Sequence, residues 1–266
     1  MSFQHQARKR FGQNFLVDQQ IIQKIVSSIG PKAEDNLIEI GPGMAAITEY
    51  LVQHCPTMTL VELDRDLVDH LHEKFRNLPH LTIHSGDALQ TDFTQFYDKR
   101  KLRLVGNLPY NISTPLLFHL LSVRDVIKDM HFMLQREVVD RLGAETGSKN
   151  YGRLSVMIQY HCNVIPLIPV PPSAFRPAPK VQSAVVRLTP HNSIPHRADN
   201  LKLFSQVVNA SFQQRRKTLK NCLLEFSDHL GDLEGSFDLS RRPQQLSVQE
   251  FVFLANTIHC SMSRIS

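Results

Sequence analysis

The residues with the clearest chemical use stand in a few short stretches. Asn36-Leu-Ile-Glu-Ile-Gly41-Pro-Gly43-Met-Ala-Ala-Ile-Thr48 runs from an apolar segment through two glycines into a helix, a pattern that brings bare backbone against a nucleotide. Glu62, nineteen residues after Gly43, closes the next apolar run, where a carboxylate can grip ribose hydroxyls. Gly41, Gly43, Ala46 and Glu62 also satisfy the dinucleotide pattern, so NAD and a dehydrogenase activity compete for this loop. Glu39 weighs against them, because a carboxylate there repels a pyrophosphate and suits a ligand carrying an ammonium and a sulfonium. Asp87, in Ser85-Gly-Asp-Ala88 after the third apolar run, can accept from the amino group of an adenine ring; taken alone it reads as a turn residue.

The fourth apolar run leads into Gly106-Asn107-Leu108-Pro109-Tyr110. An Asn-x-Pro-Tyr at a strand's carboxyl end falls in the crevice where open α/β sheets bind ligands. The elements that must position it are legible as a rhythm: short apolar runs at 37–40, 58–63, 81–84, 102–105 and 130–134 alternate with longer amphipathic segments. That rhythm predicts βαβ units, hence an α/β fold with a mostly parallel sheet covered by helices. Runs at 161–169 and 183–188, separated by a proline-rich stretch, are expected to pair as a hairpin at the sheet edge. A polar, proline-punctuated segment follows at 190–197 and marks a boundary. Beyond it Leu201, Phe204, Val208 and Phe212 fall at helical spacing, and Ser247 with Glu250 forms a capping box flanked by Leu246 and Phe251. The expected organisation is an α/β domain over 1–190 and a small all-α domain over 191–266.

The 266 residues carry a formal charge of +5, enough to permit polyanion binding without establishing it. Cysteines at 55, 162, 222 and 260 have neither zinc-ligand nor redox-dithiol spacing, so no metal is expected. No apolar run approaches the roughly 18 residues that cross a bilayer, and the basic start lacks the apolar core of a secretory signal, so a cytoplasmic location is expected; a monomer is expected as well.

Asn107-Leu-Pro-Tyr110 resembles the motif of adenine-amino methyltransferases. The surrounding chain resembles the small-subunit ribosomal RNA adenine dimethyltransferases, relatives of the macrolide-resistance methylases and of eukaryotic dimethyladenosine transferases. The resemblance is collinear through Arg8-Lys-Arg-Phe-Gly-Gln-Asn-Phe-Leu16, Glu39-Ile-Gly-Pro-Gly43, Glu62-Leu-Asp-Arg65, Gly86-Asp-Ala88, Gln135-Arg-Glu-Val138 and Tyr151-Gly-Arg-Leu-Ser155. It continues through Phe175-Arg-Pro-Ala-Pro-Lys-Val-Gln-Ser-Ala-Val-Val-Arg-Leu188 and Phe212-Gln-Gln-Arg-Arg-Lys-Thr-Leu219. Ala45 stands where many methyltransferases have a third glycine; alanine is small enough that no functional loss is expected.

This resemblance implies a Rossmann-like class I methyltransferase that uses S-adenosylmethionine. Asn14 and Leu16 would contact the cofactor, Gly41 and Gly43 would approach it by backbone, Glu62 would hold the ribose and Asp87 the adenine amine. Asn107 would join the cofactor and substrate sites. The implied substrate is a pair of adjacent adenosines, each dimethylated, in a hairpin near the 3′ end of 16S ribosomal RNA, met in an assembly intermediate of the small ribosomal subunit. In that chemistry Asn107 Oδ1 and the Leu108 carbonyl accept the amine's N–H groups, Pro109 stiffens the loop and Tyr110 offers a face for the unstacked base. Phe175 could close the other face of the base or could simply pack in the core. A ribosome-assembly or RNA-binding factor with little catalytic role is the alternative.

Basic clusters occur at Arg8-Lys9-Arg10, Arg176 with Lys180, Arg215-Arg216-Lys217 with Lys220, and Arg241-Arg242. A charge run is commonly a solvated face. Interleaving with Phe11, Phe175 and Phe212 favours RNA backbone binding, with Lys180, Arg215, Arg216 and Lys217 as candidate contacts.

Overall fold

All five expected apolar runs form strands in the computed structural model, which describes residues 13–265 apart from 215 and 234. After a two-residue strand β1 (Phe15–Leu16) and helix α1 (Gln19–Ile29), the chain alternates β2 (Asn36–Ile40), α2 (Thr48–His54), β3 (Thr59–Glu62), α3 (Arg65–Lys74) and β4 (Thr82–Ser85). It continues through β5 (Leu102–Asn107), α4 (Ser113–Ser122), β6 (Ile127–Gln135), α5 (Arg136–Leu142), α6 (Arg153–His161), β7 (Cys162–Val170), β8 (Phe175–Arg176) and β9 (Ser183–Pro190). Helices α7 (Leu201–Gln213), α8 (Leu219–Cys222) and α9 (Val248–Ile265) follow.

The seven-stranded sheet has the order β4-β3-β2-β5-β6-β9-β7. Its first four pairings are parallel, whereas β9 runs antiparallel to β6, so the expected mixed edge is present. The chain fills one side of β2 and then crosses to β5 on the other, so the crevice between the carboxyl ends of β2 and β5 is the switch point where such sheets bind ligands. Leu37, Ile38 and Ile40 of β2 and Leu102, Leu104 and Val105 of β5 are buried, as strands covered on both faces require.

Arg103 is a charge inside that apolar run. Its guanidinium reaches Asp35 at 2.6 Å and Asp129 at 3.1 Å, and donates to the Ile29 carbonyl at 2.7 Å and the Gly30 carbonyl at 3.2 Å. The arginine thereby ties the carboxyl end of α1 to the sheet. Burial opposes ionisation of Asp35, but the Arg103 hydrogen bond, the Lys32 N–H and the charges of Arg103 and Lys128 together outweigh it and hold the carboxyl below its usual range.

The chain divides into two compact units. One combines residues 13–139 with Ile165–Pro190; the other combines Asp140–Val164 with the residues from His191 onward. The chain passes into the second unit after Pro190, and residues 140–164, read from the sequence as part of the α/β domain, also lie in the second unit. The reason is local packing: α6 buries Val156, Met157, Ile158 and Tyr160, and the Tyr160 ring lies 4.6 Å from that of Phe204 in α7. Phe212 bridges Tyr151 and Phe251, with centroids 6.3 and 5.6 Å away. Helix α9 starts as expected: the Ser247 N–H donates to Glu250 at 2.8 Å, and the Glu250 N–H donates to Ser247 Oγ at 3.2 Å.

Candidate active site

At the switch point lies a cleft of about 1250 Å³, counting its open mouth. It lies at the carboxyl ends of the parallel strands, the place where sheets of this topology take small molecules. Its walls hold Asn14, Leu16, Glu39, Gly41, Gly43, Glu62, Asp87 and the loop from Asn107 to Ile112. Every residue expected at the cofactor is therefore brought to one cavity, although they are spread in sequence from Asn14 to Asn107.

The glycine loop leaves β2 by alternating handedness: Gly41, Ala45 and Gly43 have φ of 68°, 68° and 58°. The backbone at Ala45 explains why a glycine is common there. The constraint is a left-handed backbone, which alanine adopts at some cost, and small size alone does not meet it. Gly43 has a second constraint, since an added Cβ would come within 3.1 Å of the Phe15 ring.

Glu62 organises the loops before it meets any ligand. Its Oε2 accepts from the Gly43 N–H at 3.1 Å, and its Oε1 accepts from the N–H groups of Leu63 and Asp64, each at 2.9 Å. Burial raises its proton affinity, and these three donors offset part of the effect. A carboxylate has about four acceptor positions, so one on Oε2 remains for a hydroxyl. Asp87 makes a turn, with Oδ1 accepting from the Leu89 N–H at 2.9 Å, and leaves Oδ2 for a donor in the cleft. Glu39 is buried and accepts from Thr48 Oγ1 at 2.7 Å; burial pushes its carboxyl up to about 7.

The Asn107 loop is fixed on three sides. The Leu108 N–H donates to the Met133 carbonyl at 3.2 Å, the Ile112 N–H donates to the Pro109 carbonyl at 3.2 Å, and Asn107 Nδ2 donates to the Asn14 carbonyl at 3.0 Å. With Nδ2 committed to an acceptor, Oδ1 is left to accept from a ligand. Tyr110 is half-buried in the cleft wall with its hydroxyl 2.7 Å from Ser183 Oγ; burial pushes that phenol above its usual range.

A scan against protein-family models matches residues 4–233 to the family described as ribosomal RNA adenine dimethylase. The chain belongs to that family. Among its relatives, the ribosomal RNA small subunit methyltransferase A of Saccharophagus degradans is 57% identical over 256 residues, covering 96% of this chain and 95% of the relative. The protein of the same description from Marinobacter nauticus is 53% identical over 259 residues, with 96% and 92% covered. A dimethyladenosine transferase from Plasmodium falciparum shares the fold with a TM-score of 0.77 at 24% identity, covering 94% of this chain and 98% of that one. The chain is therefore an rRNA adenine dimethyltransferase with a Rossmann-like class I methyltransferase fold, and its methyl donor is S-adenosylmethionine. The cleft suits that donor chemically, with acceptors for hydroxyls and an amine and a buried carboxylate for the cationic end.

Several family-implied contacts need correction or completion. Phe175 is fully buried in the apolar core opposite Leu16 of β1 and does not line the cleft, so it packs the core and closes no face of a base. Its burial follows from β1–β8 pairing. Lys180, Arg216 and Lys217 are exposed, as RNA contacts require, while Arg215 and the cluster at Arg8-Lys9-Arg10 with Phe11 lie outside the described residues. Arg241 is engaged with Glu250, so the Arg241-Arg242 pair presents less free charge than its sequence suggests.

Gly106, Phe15, Asn14's backbone and Ser183 were given no roles by residue type. Only Gly106 carried a signal, as a glycine immediately before the Asn107 motif. An added Cβ there would fall 2.3 Å from the Ile40 carbonyl oxygen, so glycine is what allows β2 and β5 to close the switch point. Among the described residues no group of three or more His, Cys, Asp or Glu side chains is placed to hold a metal, and no helix is long and apolar enough to cross a membrane.

Proposed function

We propose that this chain dimethylates the exocyclic amines of two adjacent adenosines in a hairpin near the 3′ end of 16S ribosomal RNA. It would act as a monomer on an assembly intermediate of the small subunit in the cytoplasm. The observation that carries the mechanism is the committed Asn107 amide. Its Nδ2 is tied to the Asn14 carbonyl, leaving Oδ1 as its acceptor, and Asn107 and Leu108 both line the cleft.

S-adenosylmethionine, when bound, supplies an electrophilic methyl group on sulfonium. Adenine's amine is a weak nucleophile because its lone pair is delocalised into the ring. Asn107 Oδ1 and the Leu108 carbonyl accept its two N–H groups and favour a pyramidal nitrogen aimed at the methyl. Two neutral hydrogen bonds supply only about 1–3 kcal/mol net. Proximity and alignment can supply about 7–11 kcal/mol, so the rigidity conferred by Pro109 and the backbone bonds of the loop matters more than either contact alone. Tyr110 stacks on the extruded base, an interaction of about 1–3 kcal/mol against an extrusion cost of a few kcal/mol. No general base is needed, because the methylated ammonium is acidic enough to release its proton to water.

At the cofactor, Glu62 holds the ribose through its remaining acceptor position, Asp87 takes the adenine amine, and Glu39 faces the cationic methionine end. Asn14 and Leu16 complete the wall, and Gly41 and Gly43 admit the ligand against bare backbone. Lys180 in the first unit and Arg215, Arg216 and Lys217 in the second contact RNA phosphates. Transfer of labelled methyl to immature small subunits tests the reading against a docking role. Asn107→Ala should lower turnover at least about tenfold with a smaller change in cofactor affinity, because a transition-state contact is lost. Tight binding by the wild-type chain without transfer would leave only docking, and unchanged turnover in the variant would remove the role of Asn107.

A further inference from the structure

The hydrogen bond between Tyr110 and Ser183 joins residues 73 apart in sequence. Ser183 is the first residue of β9 and only 1% exposed, so the strand fixes its Cβ and the hydroxyl is enclosed beside the phenol it bonds. Opposite it in the antiparallel register is Gln135 of β6, and two residues earlier on β6 Met133 pairs with Asn107. The same strand therefore fixes Asn107 from one side and carries the register that places Ser183. At its other end Tyr110 is held by its backbone, where its carbonyl accepts from Ser113 Oγ at 3.0 Å. With the backbone held, the ring retains side-chain torsions, and the phenol's hydrogen bond is what stops them.

We propose that Ser183 is a positioning residue for methyl transfer: its hydroxyl fixes the Tyr110 ring so that the stacking face is preset before the adenine arrives. This rests on the assignment of Tyr110 as the platform for the extruded base. A preset ring lowers the ordering cost of capturing the base, so the effect belongs in the RNA-dependent step and leaves the cofactor's binding unaltered. The bond also disposes of two buried hydroxyls together, which a purely structural role would equally do. The two roles differ in what they alter.

A double-mutant cycle on the full chain separates them, using Tyr110→Phe, Ser183→Ala and the pair. Each single variant removes one end of the same bond and should lower kcat/KM for the RNA by about 3–10-fold, the span of one neutral hydrogen bond. The pair should be no worse than the poorer single variant, and S-adenosylmethionine affinity measured by calorimetry should stay within about twofold. The chain has no tryptophan, so its near-ultraviolet circular dichroism reports tyrosine and phenylalanine environments directly. Ser183→Ala should lose the tyrosine band intensity that Tyr110→Phe also loses. Multiplying losses, wild-type kinetics in Ser183→Ala, or a parallel fall in cofactor affinity would each overturn the proposal. A wild-type chain that binds RNA but transfers no methyl would instead overturn the assignment of Tyr110 on which it rests.

Discussion

Replacing Gly106 by alanine tests whether the close approach of β2 and β5 sets the catalytic geometry. The added Cβ would meet the Ile40 carbonyl oxygen at 2.3 Å and the Leu108 side chain at 3.3 Å. Ordinary van der Waals contact begins near 3.4 Å, so the strands must part by about 1 Å. The clash is with backbone in the centre of a sheet, so no side-chain rotation relieves it. Gly106 immediately precedes Asn107, and Ile40 immediately precedes Gly41, so the displacement reaches both sides of the cleft. A misplacement of about 1 Å can cost on the order of 100-fold in rate. Overpacking of this kind costs about 1–3 kcal/mol, which for a chain of this size lowers the melting temperature by roughly 2–12 °C. Single-turnover methyl transfer, cofactor calorimetry and thermal unfolding of the same variant give the three quantities. Turnover within twofold of wild type together with an unchanged melting temperature would refute the argument that glycine is required at this crossing.

Glu39 gives a pH signature. Its folded-state carboxyl is raised from 4.5 to about 7 by burial, so its contribution favours the fold at acid pH and is lost as pH rises from about 4.5 through about 7. Glu39→Gln should therefore gain stability relative to wild type across that window, by at most about 3 kcal/mol, and a pH-independent difference in chemical unfolding would contradict this. Wild-type affinity for the cationic cofactor should rise over the same window with proton release, and the glutamine variant should lack the dependence. Arg103→Met should destabilise the first unit by about 3–5 kcal/mol in denaturant titrations, because Asp35 and Asp129 lose their buried partner and the Ile29 and Gly30 carbonyls lose a donor; a loss under about 1 kcal/mol would contradict it. Changing Arg215, Arg216 and Lys217 to alanine should weaken RNA binding and flatten its salt slope by up to about 2–3, and an unaltered slope would return them to a solvated surface.

The parts of the fold that the sequence made legible are those whose signals are local. The strands were bounded by turn residues on apolar runs, and the Ser247-Glu250 cap was written in four adjacent positions. The glycine loop, Glu62, Asp87 and the Asn107 loop all follow strand ends, and they converge because parallel strands deliver their carboxyl ends to one side of a sheet. What was hidden depended on distant partners. Gln13-Asn14-Phe15 by itself reads as a lead-in to a helix, yet Phe15 belongs to β1, whose pairing with Phe175–Arg176 spans about 160 residues. That same pairing buries Phe175, which its motif alone left open between base and core. Residues 140–164 join the helical unit because Tyr160 finds Phe204, a contact that no local periodicity announces. Arg103 carries no local signal within its apolar run, because its partners come from α1, the segment after it and β6.

The most direct measurement is a mass-spectrometric map of adenosines in 16S ribosomal RNA from small subunits incubated with S-adenosylmethionine, with and without this chain. Two adjacent N6,N6-dimethyladenosines near the 3′ end, appearing only with the wild-type chain and sharply reduced with Asn107→Ala, are the predicted result. Unmodified adenosines there, or methylation confined to another nucleotide, would contradict the account.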